Sequence, residues 1–97
     1  MADRRLQVFH AVAKHLSFTK AAEALFMTQP AVTSQIRQLE EHFNTRLFDR
    51  GHGRISLTAA GNLALEYVER ILEVSAELDN RLQEMSGQLG GPLLIGA

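Results

Sequence analysis

The sequence predicts a mainly α-helical protein: a small head of three helices closed by a short hairpin, continued by one long helix. Three observations predict it. Apolar residues recur at three- and four-residue intervals through three successive segments up to Phe43. Two glycines and the alternating stretch Ile55-Ser56-Leu57 then interrupt that periodicity once. From Ala59 to about Met85 an apolar stripe runs on without a break. Ninety-seven residues, 45% of them hydrophobic, suffice for one core with an appendage and not for two domains.

In the first segment, Leu6, Phe9, Val12, Ala13 and Leu16 share one helical face, which predicts a helix from about Asp3 to His15. Ser17-Phe18-Thr19 ends it, and Thr19 is the expected N-cap of a short helix over Lys20–Leu25, made almost wholly of good helix formers. Phe26-Met27-Thr28 forms a three-residue turn with Met27 expected in the core. Thr28 caps a third helix, and Pro30 sits in its first turn, where a missing N–H costs least. At about 100° per residue, Val32, Ile36, Leu39 and Phe43 form one narrow stripe expected to face the core. Opposite them stand Pro30, Ser34, Arg37 and Glu41, with Thr33 and Gln38 at the flanks. Two helices joined by a tight turn, the second with a small polar leading end, follow the plan of a helix-turn-helix. Gly51 and Gly53 permit the tight turn of a hairpin flanked by Arg50 and Arg54. The fold class is therefore mainly α, a winged helix-turn-helix followed by a long dimerising helix.

Thr58 caps that long helix. Its stripe, Leu63, Tyr67, Ile71, Val74, Leu78, Leu82 and Met85, keeps one seam aligned over roughly 40 Å. A lone helix cannot bury such a seam against so small a head, so a second copy is expected to cover it, parallel or antiparallel, with a following domain as the alternative cover. Leu65, Val68 and Leu72 lie beside the seam and face the head or a partner. The expected organisation is a DNA-binding type of head over 1–58, a linker helix over 59–86, and over 87–97 a glycine-rich hinge with the first strand of a further domain.

Composition narrows the chemistry. With no Cys there is no disulfide framework, thiolate nucleophile or Cys-based zinc site. His10, His15, His42 and His52 lack metal-ligand spacing, and Gly51-His52-Gly53 is too short for a phosphate loop, so no enzyme is expected. The absence of a long apolar run or a signal-like N-terminus leads to the expectation of a cytoplasmic protein. A net charge of −1 conceals an asymmetry: residues 1–60 carry eight Lys or Arg against five acids, residues 61–97 two against six. A basic head on an acidic remainder suits a protein whose head alone approaches phosphate.

Leu6, Phe9, Val12-Ala13, Ser17-Phe18, Ala21-Ala22-Glu23-Ala24-Leu25, Thr28-Gln29-Pro30-Ala31-Val32-Thr33, Ile36, Leu39-Glu40, Leu47-Phe48-Asp49-Arg50 and Leu57-Thr58-Ala59-Ala60-Gly61 occur in an order and spacing that resemble the LysR-type transcription regulators. The stretch from Phe18 to Val32 is similar to regulators of carbon-fixation and inorganic-nutrient genes. The resemblance implies a winged helix-turn-helix, a linker helix that forms a homodimer, and binding to an interrupted inverted repeat in promoter DNA. It also implies a two-lobed C-terminal domain that takes a small-molecule effector, with no cofactor in the present stretch. A tetramer of the full-length protein and contact with RNA polymerase are further associations that it leaves open.

On double-stranded DNA the resemblance gives direct base readout to Gln29, Pro30, Thr33 and Ser34. The chemistry agrees: a Gln amide donates and accepts at an adenine edge, hydroxyls address either type of base, and the Pro ring makes an apolar contact. Where relatives often carry Arg or Lys at one of the last two positions, this chain has Thr33 and Ser34, which argues against strong guanine preference there. Lys20, Thr28, Arg37 and Arg50 are expected on phosphates, Arg50 alternatively as a structural tie between wing and head. Arg54 near the wing tip is expected in the minor groove. Arg4, Arg5, Lys14 and Arg46 are read as solvated surface. The rival reading is a winged helix that binds protein rather than DNA.

Overall fold

A computed structural model describes residues 3–51 and 53–88. The elements run α1 (Arg4–His15), α2 (Phe18–Leu25), α3 (Gln29–Phe43), β1 (Phe48–Asp49), β2 (Ser56–Leu57) and α4 (Ala59–Gln88). The two strands pair antiparallel with Phe48 opposite Leu57 and Asp49 opposite Ser56, forming the wing. The expected strand over 93–97 lies outside the described residues, as does His52.

Each short helix ends by turning one non-glycine residue left-handed: Leu16 at φ 49°, Phe26 at 57° and Asn44 at 52°. Such residues cost about 1–2 kcal/mol each, and here the turned N–H is returned to the helix it closes. Leu16 N–H donates to the Val12 carbonyl at 2.7 Å, and Phe26 N–H to that of Glu23 at 3.3 Å. Only hard turns of this kind bring three helices back on one another within so few residues.

The start of α2 departs from the sequence expectation. Ser17, not Thr19, is the N-cap: its hydroxyl accepts from Lys20 N–H at 3.1 Å, and the helix begins at Phe18. Starting there buries the Phe18 ring, which a start at Lys20 would leave in the loop. Thr19 is thereby freed from capping and exposes its hydroxyl on the first turn.

Val8, Phe9, Val12 and Ala13 of α1, Phe18, Ala21 and Ala22 of α2, Val32, Ile36 and Leu39 of α3, and Leu47 and Phe48 form one core, with Met27 packed against it. Phe43 was expected there as well, but it is 51% exposed. The last turn of α3 outruns the head, so Phe43 instead borders an apolar groove shared with Leu63, Tyr67 and Ile71 of α4.

The first turns of α4 are locked onto the head. Thr58 Oγ1 donates to the Arg46 carbonyl at 2.6 Å and accepts from Gly61 N–H at 3.0 Å. Gly61 is buried so closely that a Cβ would collide with the Leu47 carbonyl oxygen and approach Leu57 Cδ2 to 2.9 Å. Further along, Val68 joins the core and Leu65 and Leu72 pack on it, as their place beside the seam suggested. Glu69 meets His10 Nε2 at 3.3 Å and Lys14 Nζ at 3.5 Å, so Lys14, read as solvated, is ion-paired to α4. Beyond this latch α4 projects alone, giving the molecule extents of 57 × 26 × 21 Å. Gly87 and Gln88, expected in the hinge, are helical, since one exposed glycine costs a helix only about 1 kcal/mol.

These contacts set opposite outcomes for two glycines of α4. Gly61→Ala should lower stability by about 1–3 kcal/mol through overpacking, despite its gain in helix propensity. Gly87→Ala, with nothing within 4 Å of its added methyl, should raise helix stability by roughly 0.5–1 kcal/mol. Urea unfolding followed by circular dichroism checks both.

Candidate nucleic-acid interface

The exposed end of α3 is built by Thr28. Its hydroxyl accepts from Ala31 N–H at 3.2 Å and its carbonyl accepts from Val32 N–H at 3.1 Å. Pro30 contributes no N–H, so the backbone donors left for a ligand at this tip are those of Thr28 and Gln29. This is fewer than a bare helix end would offer an anion, and it shifts the recognition burden to side chains. Gln29, Pro30 and Ser34 are exposed and Thr33 is half-buried: Pro30 and Ser34 stand opposite Val32, Ile36 and Leu39, Thr33 at the flank, and Gln29 at the very start of the helix. Ser34 Oγ accepts from Gln38 Nε2 at 3.5 Å, which adds Gln38 to the same polar face. Arg37 is exposed toward the far end of α3, beside Glu40 and Glu41 in a shallow hollow with Arg46.

Tertiary structure brings the wing to this face. Gln29, Gly53 and Arg54 line one crevice together with Ser17, Phe18 and Thr19 at the start of α2. Residues 25 positions apart thus line a single cleft. The turn that presents Arg54 is closed by its own N–H, donating to the Gly51 carbonyl at 3.0 Å, with Gly53 at φ 71°. Inside the crevice Thr19 Oγ1 donates to Gln29 Oε1 at 3.4 Å. Lys20 is exposed one residue further on.

Arg50 resolves into a structural group with chemistry to spare. Its guanidinium carbon lies 4.4 Å from the centre of the Phe18 ring, a cation–π stack that ties β1 to α2. Stacking uses the face of the guanidinium and leaves its N–H edge for an anion. Underneath, Phe48 meets Phe9 at 5.4 Å and Phe18 at 6.1 Å between ring centres. Glu40, which sequence reasoning treated only as part of a pattern, holds the wing from α3. Its carboxylate accepts from Leu47 N–H at 2.9 Å and from Phe48 N–H at 3.3 Å. The sequence signal for this role was an acid beside the apolar stripe, between Leu39 and Phe43. Of the remaining cations, Arg5 pairs with Asp3 at 3.0 Å and Arg4 donates to Gln7 at 3.0 Å. Among the described residues no cluster of His, Asp and Glu could hold a metal ion, and no helix is long and apolar enough to cross a membrane.

Three packed helices with a two-stranded wing beside the tip of the third make this a winged helix-turn-helix protein. The chain belongs to the family of bacterial regulatory helix-turn-helix proteins of the lysR type, whose model matches residues 4–62. Similar curated proteins include the probable RuBisCO transcriptional regulators of Porphyra purpurea, 43% identical, and Cyanophora paradoxa, 44% identical. Each alignment covers 96% of this chain and 29% of the relative, so the chain spans under a third of their length. These relatives agree with the likeness to carbon-fixation regulators noted from Phe18 to Val32. Among solved structures, the CbnR DNA-binding domain in complex with DNA is 38% identical with a TM-score of 0.80, covering 88% of this chain and 98% of that one. The BenM DNA-binding domain on catB site 1 DNA is 32% identical with a TM-score of 0.83, covering 88% and 96%.

The contacts under the wing differ in depth and so in expected cost. Phe48→Ala should lose about 3–5 kcal/mol of stability through the cavity it leaves. Arg50→Ala, which removes an exposed stack, should lose about 0.5–1 kcal/mol. Chemical denaturation of the two variants beside wild type tests this ranking.

Proposed function

We propose that this chain is the DNA-binding and dimer-forming part of a transcription regulator that reads an interrupted inverted repeat in promoter DNA as a homodimer. The observation that carries the reading is the crevice shared by Gln29 and Arg54, which sets a helix tip and a wing cation side by side on the basic end of the molecule. A helix tip entering the major groove with a wing cation over the adjacent minor groove uses both at once. In this reading Gln29, Pro30, Thr33 and Ser34 face base edges. Lys20, Thr28, Arg37 and the free edge of Arg50 take phosphates, and Arg54 enters the minor groove. The protein acts by binding, not catalysis, and works in the cytoplasm. A small-molecule effector is held by a C-terminal domain, through which full-length chains form tetramers, and RNA polymerase is the partner at the promoter.

Binding of the chain to an inverted-repeat duplex, followed by fluorescence anisotropy at several salt concentrations, is expected to weaken steeply with salt. Lys20→Ala should reduce the slope of log K against log salt by roughly two, one for each head of the dimer. Gln29→Ala should relax sequence preference, and Arg54→Ala should weaken binding more evenly. A folded dimer that binds no duplex at low salt would refute the assignment in favour of a protein-binding role.

The seam of α4 supports the dimer, and its two halves favour an antiparallel one. Leu63, Tyr67 and Ile71 border the apolar groove beside the head, whereas Val74, Leu78, Leu82 and Met85 extend past it; all seven are exposed by 39–63%. Antiparallel pairing centred near Val74 lays each projecting half on the groove of the other subunit, so one arrangement covers both. Parallel pairing would instead bring two heads together and leave the projecting halves only each other. Because the chain has no Cys, engineered pairs report cleanly. Leu63→Cys with Met85→Cys in one chain should cross-link subunits on mild oxidation, and Leu63→Cys alone should not; cross-linking by Leu63→Cys alone means a parallel pair.

A further inference from the structure

The hydrogen bond between Thr19 and Gln29 has a chemical direction that bears on which bases the helix tip accepts. A glutamine amide is nearly symmetric in shape, and turned one way it offers two N–H donors, turned the other a carbonyl acceptor. Left free, it suits donor and acceptor base edges alike. Here Oε1 is the end that faces Thr19 Oγ1, at 3.4 Å. No hydrogen bond within the described residues engages Nε2. The hydroxyl could equally accept from a reversed amide, so the surroundings decide the sense. The crevice is lined by Arg54 and by the first turn of α2, with Gln29 itself at the first turn of α3. Helix N-termini and a guanidinium all present positive potential, and that draws the negative end of the amide dipole inward. Thr19 is available because Ser17 has taken over the cap of α2.

We infer that Thr19 is a positioning residue for base selection: it holds the Gln29 carbonyl in the crevice, so that Nε2 leads toward the DNA and selects a base edge carrying an acceptor. In the major groove guanine, adenine and thymine each present such an acceptor, and cytosine presents only its amino donor. Cytosine is the base refused. The inference rests on the reading of Gln29 as a base contact.

The test is selection of this chain on a library of duplexes carrying an inverted repeat with randomised half-sites, followed by sequencing, for wild type, Gln29→Ala, Thr19→Val and Thr19→Ser. The position at which Gln29→Ala loses preference defines the base that Gln29 reads. There, wild type should disfavour cytosine. Thr19→Val, which keeps the shape and removes the hydroxyl, should reduce that discrimination about 3- to 10-fold, the worth of one hydrogen bond. Thr19→Ser, which keeps the hydroxyl, should retain it. If Thr19→Val weakens binding to all sequences alike and leaves the base profile intact, Thr19 is a backbone contact and the inference fails while Gln29 keeps its role. The same holds if Thr19→Ser behaves as Thr19→Val. If Gln29→Ala loses no preference at any position, the base-reading role of Gln29 falls, and this inference with it.

Discussion

The arrangement of the molecule depends on the backbone of Arg46, Leu47 and Phe48. Glu40 reaches this segment from α3 and takes the N–H groups of Leu47 and Phe48. Thr58 reaches it from the start of the long helix, donating its N–H to the Leu47 carbonyl and its hydroxyl to that of Arg46. The same Leu47 carbonyl lies where the Cβ of residue 61 would stand. Three residues therefore join α3, the wing and α4, with the buried Leu47 and Phe48 side chains anchoring the junction in the core. Backbone polar groups in such a place must be paired, since an unpaired one away from water costs about as much as the hydrogen bond it lacks. Most of the pairing is made here by side chains, with the Thr58 N–H adding one backbone bond, because two two-residue strands cannot satisfy it alone.

That junction gives the interface its rigidity. The wing is too short to hold a direction by its own ladder, since an isolated two-stranded hairpin is marginal in water. It is held from below by Phe48 against Phe9 and Phe18, and from above by Arg50 stacked on Phe18. Phe18 belongs to α2, whose first turn lines the crevice. The contacts that stabilise the wing thus also fix Arg54 relative to Gln29. A surface for DNA requires this, because base contacts made by short side chains tolerate little displacement of the helix that carries them.

The long helix extends the same logic outward. Its first turns are locked by Thr58 and Gly61, its middle by Val68 in the core, and its acidic Glu69 by His10 and Lys14 of α1. Past that latch it keeps an apolar seam that nothing among the described residues covers. The head is therefore stiffly joined to the exposed part of the long helix, by packed contacts rather than by a flexible linker.

Spacing, capping residues and helix formers sufficed for the existence of the three short helices, the capped start of α3 and the start of α4, because helix formation is largely a local matter. The two glycines and alternating Ile55 and Leu57 likewise marked the wing. The register of strands only two residues long, the burial of Phe18 that moved the cap from Thr19 to Ser17, and the exposure of Phe43 were decided by packing between distant segments. So were the partners of Lys14, Arg50 and Glu40, each of which lies on an element other than its own. The side chains Gln29 and Arg54 were legible one at a time from residue type, position and resemblance. Their place along one crevice, with Thr19 bonded to Gln29, came only from tertiary structure, because no local pattern records how far a turn carries the chain back through space.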